Sequence, residues 1–203
     1  MAEDTLGDAL PLPVPSVEMR RRLATRRSAP AQSLAAPGPS EAELSEILHL
    51  GARTPDHGKL FPWRFVILSP GARARIAEAL TPLAARQPDP GKAAKTLMKL
   101  TAPPVTVLVI STPVVDHKVP VWEQQLSAGA VCMNLEHAAN AMGYCASWIT
   151  DWYSYEPEAA AMFGVGAGEQ VAGFIHIGTL SEPPLERPRP DMAAVISYLD
   201  PGI

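Results

Sequence analysis

Apolar positions along the chain fall into two rhythms, one with the 3.6-residue period of helices and one of short runs rich in β-branched residues. Leu44, Ile47, Leu48 and Ala52 recur at helical spacing behind Ser40, with Glu41 and Glu43 where a first turn favours negative charge, so a helix opens at Glu41. Val17, Met19 and Leu23, set among arginines, predict a shorter helix over Val17–Thr25, and residues 72–83 carry another. Residues 63–68 (WRFVIL), bounded by Pro62 and Pro70, read as a strand, and residues 105–110 (VTVLVI) as a central one. Residues 87–94 read as a mobile connection, followed by a short helix to Leu100. The clearest helix spans residues 127–142, with Ala128, Val131, Cys132, Leu135, Ala138, Ala139 and Met142 on one stripe and Gly143 as its stop. Its small residues offer a flat apolar face to a partner. Residues 146–149 and 171–177 predict two further strands, with a helix over 157–163 between them. This order implies an α+β fold or a three-layer α/β sandwich around one mixed sheet.

Composition narrows the picture. The chain has 203 residues, 47% of them apolar, enough to bury a core. Its 22 prolines are about twice the usual ~5% share, and they cluster at 11–15, 30–39, 82–90, 103–120 and 183–190, where loops and boundaries are expected. Residues 1–16 read as a flexible tail and residues 17–203 as a single domain. No uncharged apolar stretch approaches the roughly 20 residues of a membrane-spanning helix. The acidic start lacks the order of a secretory signal, and two cysteines are too few for a disulfide scaffold, so a cytoplasmic protein is expected. A net charge of −4 disfavours a general nucleic-acid binder. Against that balance, Arg20, Arg21, Arg22, Arg26 and Arg27 crowd into eight residues, which points to a discrete anion.

The chemistry-bearing groups are few. Arg26, Arg27 and Ser28 carry two guanidiniums and a hydroxyl beside a turn, equipment for a phosphate; solvated arginines on an exposed face are the alternative. Arg187 and Arg189 form a second basic pair, stiffened by flanking prolines. His57, in the turn Pro55-Asp56-His57-Gly58, reads as a proton donor, a ligand's hydrogen-bond partner or a plain turn residue, with no second group paired to it. No second histidine stands at metal-ligand spacing, and Cys132 and Cys145 read as core thiols, so no metal is expected. Gly-rich GVGAG at 164–168 lacks the Lys-Ser/Thr of a P-loop.

Taken together, RRSAP near the start, ARTPDHGKLFPWRFVIL, the long HKVPVWEQQLSAGAVCMNLEHAANAMGY, SWIT and GFIHIGT resemble, in order, the blocks of the nitroreductase family, in particular its compact NAD(P)H nitroreductase subgroup, over residues 17–190. The resemblance implies a three-layer α/β/α sandwich with a mixed, mainly antiparallel central sheet, and a homodimer holding FMN at the subunit interface. It implies that Arg26, Arg27 and Ser28 hold the phosphate and ribityl oxygens, and that Arg53 and His57 meet the flavin from the helix-to-turn corner, of either the same or the neighbouring subunit. Trp148, Ile149 and Thr150 would line the ring, Arg187 and Arg189 would lie beside the phosphate, and Ala138, Ala139, Asn140, Ala141, Met142 and Gly143 would contact the nicotinamide nucleotide. The activity so implied is hydride transfer from NADH or NADPH through flavin to a small electron-poor acceptor such as a nitroaromatic or quinone. No protein acid or base is required, because the flavin carries the chemistry. The tail before Val17 and the stretch 82–92 depart from the family, so the acceptor does not carry over. A flavin-sequestering protein without turnover is the rival reading, and a nucleic-acid-binding domain a third that the acidic balance disfavours.

Overall fold

The computed structural model describes residues 6–199, so residues 1–5 of the expected tail and the last four residues of the expected domain lie outside the described residues. Eight α-helices are described: α1 (Val17–Thr25), α2 (Glu41–Gly51), α3 (Pro70–Ala84), α4 (Pro90–Thr96), α5 (Met98–Thr101), α6 (Val121–Ala141), α7 (Pro157–Met162) and α8 (Met192–Val195). Four strands accompany them: β1 (Trp63–Ile67), β2 (Val105–Ser111), β3 (Cys145–Ile149) and β4 (Gln170–Gly178). The strands form one sheet in the order β1-β2-β4-β3. The expectation was a mixed, mainly antiparallel sheet; all three pairings among the described residues are antiparallel.

Strand alternation sends successive side chains to opposite faces, and here both faces are covered. Val107, Val109, Ile175 and Ile177 meet Val131, Cys132, Leu135 and Ala139 of α6 together with Ile47 of α2. Leu108, Ile110 and Phe174 meet Leu80 and Leu83 of α3, Leu100 of α5, and Tyr153 and Phe163 around α7. The result is the expected three-layer sandwich. The small-residue stripe of α6 is therefore spent inside the molecule: Val131, Cys132, Leu135 and Ala139 are fully buried against the sheet, and Ala128 is buried as well. The expectation that this face awaits a partner is corrected, because α6 must cover the central strands of its own sheet.

Two helix boundaries also differ from expectation. α6 begins at Val121, six residues before the expected start at residue 127, because Pro120 suits a helix start while Trp122 and Leu126 point outward and contribute nothing to the stripe. Residues 87–94 are not a mobile connection throughout: Asp89 caps α4 by accepting from the Lys92 N–H at 2.9 Å, Pro90 starts the helix, and Ala93 is buried. Ser40 caps α2 as read, and Glu43, read only as a first-turn acid, accepts a hydrogen bond from the Ser40 backbone N–H to complete a capping box. Gly143 takes the left-handed conformation (φ +88°) after α6. α1 buries no side chain and is tied down through Arg22, whose Nη1 donates to the Asn140 carbonyl at the end of α6 at 3.0 Å.

Candidate functional site

The segment after α1 turns inward along the free edge of β3. The Ala29 N–H donates to the Ala146 carbonyl at 3.0 Å, and Ala29 and Ala31 are buried, which fixes the half-buried Arg26, Arg27 and Ser28 just before them. Arg26 Nη1 lies 3.3 Å from Ser28 Oγ and 3.5 Å from Glu136 Oε2. Among the described residues Arg27 spends only Nε, on the Leu185 carbonyl at 2.8 Å, and both terminal nitrogens of its fork have no hydrogen bond there. The chain's far end returns to the same place. Arg189 Nη2 donates to the Arg26 carbonyl at 3.3 Å and to Glu186 Oε1 at 2.8 Å. The exposed Arg187 side chain has no hydrogen bond or ion pair among the described residues. A shallow cavity of about 400 Å³ opens here, lined by Arg27, Pro30, Ser33 and residues 180–186. The two basic clusters, more than 150 residues apart in sequence, thus meet.

The strand next to this loop carries the second expected group. Trp148 sits on β3, its Nε1 donating to the Ala172 carbonyl at 3.0 Å, and the indole occupies the space over Gly173. A Cβ at Gly173 would collide with the Trp148 ring, so only glycine fits beneath it. Ile149 follows half-buried, and Thr150 Oγ1 shares a 2.7 Å hydrogen bond with Tyr155 Oη.

Arg53 and His57 lie elsewhere. They belong to the corner between α2 and β1, which is pinned to α6 by Asn134 Nδ2 donating to Thr54 Oγ1 (2.8 Å), Ser127 Oγ donating to the Pro55 carbonyl (2.8 Å) and Glu123 Oε2 lying 2.7 Å from His57 Nδ1. At 3.6 residues per turn, Asn134 and Glu136 point roughly 200° apart around α6. Glu123 and Glu136 are thirteen residues, roughly 20 Å, apart along it. One protomer therefore does not bring the Arg53–His57 corner to the Arg26–Ser28 loop. Asp56 steadies the corner by accepting from the Phe61 N–H at 2.7 Å. Lys59 and Phe61 hold left-handed backbone there (φ 56° and 48°), with the Phe61 ring 64% exposed, an arrangement typical of functional loops.

The segment expected to contact nicotinamide nucleotide is split by burial. Ala138 and Ala139 pack in the core, and Met142 is half-buried against it. Asn140, Ala141 and Gly143 reach the surface, although the Asn140 amide donates to the Tyr144 carbonyl at 2.8 Å and its own carbonyl receives Arg22. The stripe that builds α6 into the core turns the Ala138 and Ala139 side chains inward, so Asn140, Ala141 and Gly143 are the members of this segment with surface to offer.

Three residues of the site region escaped the sequence reading. Glu136 is 3% exposed and accepts from the Trp148 backbone N–H at 3.0 Å. Burial pushes its carboxyl above the usual range, and Arg26 and the Trp148 N–H pull it partly back. Its signal was present, since it stands one turn beyond Cys132, against the apolar stripe where a charge is costly. Glu123 and Phe61 gave no such signal, because one is an ordinary first-turn acid and the other one aromatic in a loop. The Cys132 thiol, pushed up to about 12 by burial and by Glu136, is a core thiol as read. No group of three or more potential metal ligands occurs among the described residues, and none of their helices is long and apolar enough to cross a membrane.

A model of the Nitroreductase family matches residues 23–179. The chain belongs to the nitroreductase family. It is 33% identical over 158 residues to the Escherichia coli (strain K12) protein named "Putative NAD(P)H nitroreductase YdjA", covering 77% of this chain and 85% of that protein. Among solved structures it is similar to a nitroreductase-like protein from Bacillus cereus, at a TM-score of 0.79 and 17% identity over 93% of this chain and all of that one. A nitroreductase with bound FMN from Bacteroides fragilis superposes with a TM-score of 0.71 at 20% identity, over 91% of this chain and all of that one. These structural neighbours show the nitroreductase fold, the sandwich described above.

Proposed function

We propose that the chain is an FMN-dependent oxidoreductase that takes hydride from NADH or NADPH and delivers electrons to a small electron-poor acceptor, such as a nitroaromatic or quinone, as a homodimer. The observation that carries the reading is the gathering of Arg26, Arg27, Ser28 and Arg189 from opposite ends of the chain into one cluster. The donor set fits a phosphate monoester: among the described residues both terminal nitrogens of Arg27, the O–H of Ser28 and the whole Arg187 guanidinium remain free to donate, and charge-assisted forks suit phosphate oxygens. The FMN bound to the Bacteroides fragilis protein and the NAD(P)H in the name of the Escherichia coli relative support the same cofactor and donor.

When bound, FMN would supply the hydride acceptance and electron passage that no protein side chain here provides. Arg26, Arg27 and Ser28 would grip the phosphate, with Arg187 and Arg189 adding positive charge beside it. Trp148, Ile149 and Thr150 would form the wall for the ring, and the rigid seating of Trp148 over Gly173 holds that wall in place. Arg53 and His57 face away from this cluster on α6, so they would complete the site of a second copy of the chain. The free thiols Cys132 and Cys145 suit a reducing, cytoplasmic setting.

An absorption spectrum of purified protein tests the reading. Yellow protein bleached rapidly by NADH or NADPH is the expected result. Yellow protein that neither nucleotide bleaches is a flavin-sequestering protein, and protein that stays colourless after incubation with FMN removes both flavin readings.

A further inference from the structure

Glu136 is the one carboxylate among the described residues that is buried within the core set, and gripping a phosphate does not require it. A buried charge costs several kcal/mol unless it is paired and hydrogen-bonded. Its two oxygens go to two different parts of the candidate site. Oε1 accepts from the backbone N–H of Trp148, and Oε2 faces Nη1 of Arg26, the same nitrogen that lies 3.3 Å from Ser28 Oγ.

The strand geometry sharpens the point. Ala146 turns its carbonyl outward to Ala29, so Trp148, two residues on, turns its N–H to the same open edge of β3. Without Glu136 that N–H would be an unpaired edge donor, and Arg26 would have no anchor beneath it. A hydrophobic residue would cover the core equally well but would hold neither group.

We propose, on the FMN reading above, that Glu136 is a positioning residue for the cofactor: as a buried anion it holds the Arg26 guanidinium and the Trp148 N–H together, and so sets the phosphate loop against the strand that walls the ring. Glu136 itself touches no part of the cofactor. Its influence runs through Arg26, because the amide of a glutamine could still accept from the Trp148 N–H but would lack the charge that orients a guanidinium. The charged and titratable groups facing it are Arg26 from the loop and Cys132 and His137 from α6, and His137 is itself held below its usual range, first by burial and then by Arg26. On acidification Glu136 loses the charge that holds Arg26 and His137 gains one that repels it, and Glu136→Gln removes only the first of these effects.

The test is FMN affinity by quenching of flavin fluorescence, on apoprotein of wild type, Glu136→Gln, Arg26→Gln and the double variant, from pH 8 down to pH 5. At pH 8 Glu136→Gln is expected to bind FMN about tenfold more weakly, the scale of one charge-assisted bond reduced to a neutral one. The gap should narrow as pH falls, because burial makes the wild-type carboxyl take up its proton more readily than a free glutamate does. The substitution should add nothing on top of Arg26→Gln, the non-additivity expected of groups acting through one contact. Thermal melting of the apoprotein should be no lower for Glu136→Gln, since a buried charge has been removed. Glu136→Gln affinity equal to wild type across the range, a gap independent of pH, or a full effect persisting beside Arg26→Gln would each overturn the proposal. Wild type that binds no FMN at all is a different outcome, and it overturns the cofactor reading on which the proposal rests.

Discussion

His57 Nδ1 and Glu123 Oε2 lie 2.7 Å apart, joining the turn before β1 to the first turn of α6. No local pattern signals this pairing, because the two residues are 66 positions apart and both are ordinary surface types. A carboxylate on Nδ1 fixes the ring's tautomer and aims Nε2 outward, as orienting partners of functional histidines do. Both side chains are substantially exposed, so the pair adds little to stability and its value lies in orientation.

This geometry makes a prediction about turnover. If His57 serves as a hydrogen-bonding partner of the flavin, His57→Asn keeps FMN, loses only a modest part of turnover, and leaves the pH profile nearly unchanged. Glu123→Ala should then reproduce that loss through a misaimed ring, and the double variant should be no worse than either single one. Stopped-flow reoxidation by the acceptor separates this from general acid catalysis. Normal reduction followed by reoxidation at least ~100-fold slower in His57→Asn would make His57 the acid.

The two neighbouring arginines should differ when removed. Arg27→Ala takes away an exposed fork with two free nitrogens, so FMN affinity should fall on the order of 10- to 100-fold, the worth of a charge-assisted bond, with an unchanged melting temperature. Arg26→Ala should weaken FMN similarly and also destabilise the fold, because it strips the counter-ion from a carboxylate that is 4% exposed. That cost is on the order of 2 to 3 kcal/mol, moderated because Glu136 can take up a proton. Denaturant titration of both apoproteins checks the contrast; equal stabilities would mean that Arg26 is not the partner Glu136 depends on.

These contrasts mark where the sequence was readable. The helices and strands that bury a regular stripe, α2, β2 and β4, were read to within a residue or two, because burial of one face imposes a period on the residues themselves. The first turns of α6 and the whole of α4 were not, since exposed turns obey capping chemistry at Pro120, Asp89 and Pro90 and need no apolar period. Arg26, Arg27 and Ser28 were legible as a charge cluster. Their meeting with Arg189, and the placing of Arg53 and His57 on the far side of α6, depend on long-range packing that no local pattern carries.

Acid should weaken the fold through His176. This ring is wholly buried on β4, with Nδ1 sharing a 2.9 Å hydrogen bond with Thr106 Oγ1 and Nε2 without a hydrogen-bond partner among the described residues. Burial, reinforced by Arg73 and Lys99, pushes its pKa down to about 3 from the ordinary 6.5. The unfolded chain therefore binds the proton first. The contribution of this group to stability is full above about pH 6.5 and declines as pH falls from there toward about 3. His176→Asn keeps an acceptor for Thr106 and removes the titration, so its stability should fall less steeply than wild type between pH 6.5 and 4. Parallel urea-denaturation curves for the two proteins across that range would show that His176 is not the group responsible.

The opposite placement of the two half-sites on α6 yields the most direct test of a shared site. Arg27→Ala damages the phosphate loop, and Arg53→Ala damages the exposed corner, where the Arg53 side chain has no hydrogen bond or ion pair among the described residues. Each pure variant carries the same defect in every site and should bind FMN weakly. When the two are unfolded together and refolded as a mixture, a dimer with one copy of each has unequal sites if the loop of one protomer works with the corner of the other. One site then carries both defects and the other carries neither, so a population of wild-type affinity reappears. If each site is built from a single protomer, every site in the mixture keeps one defect and no such population forms. Fluorescence titration of the mixture with FMN is therefore expected to show a tight phase that is absent from both parents, and a titration showing only the parental affinities would place Arg53 outside the site of the neighbouring copy.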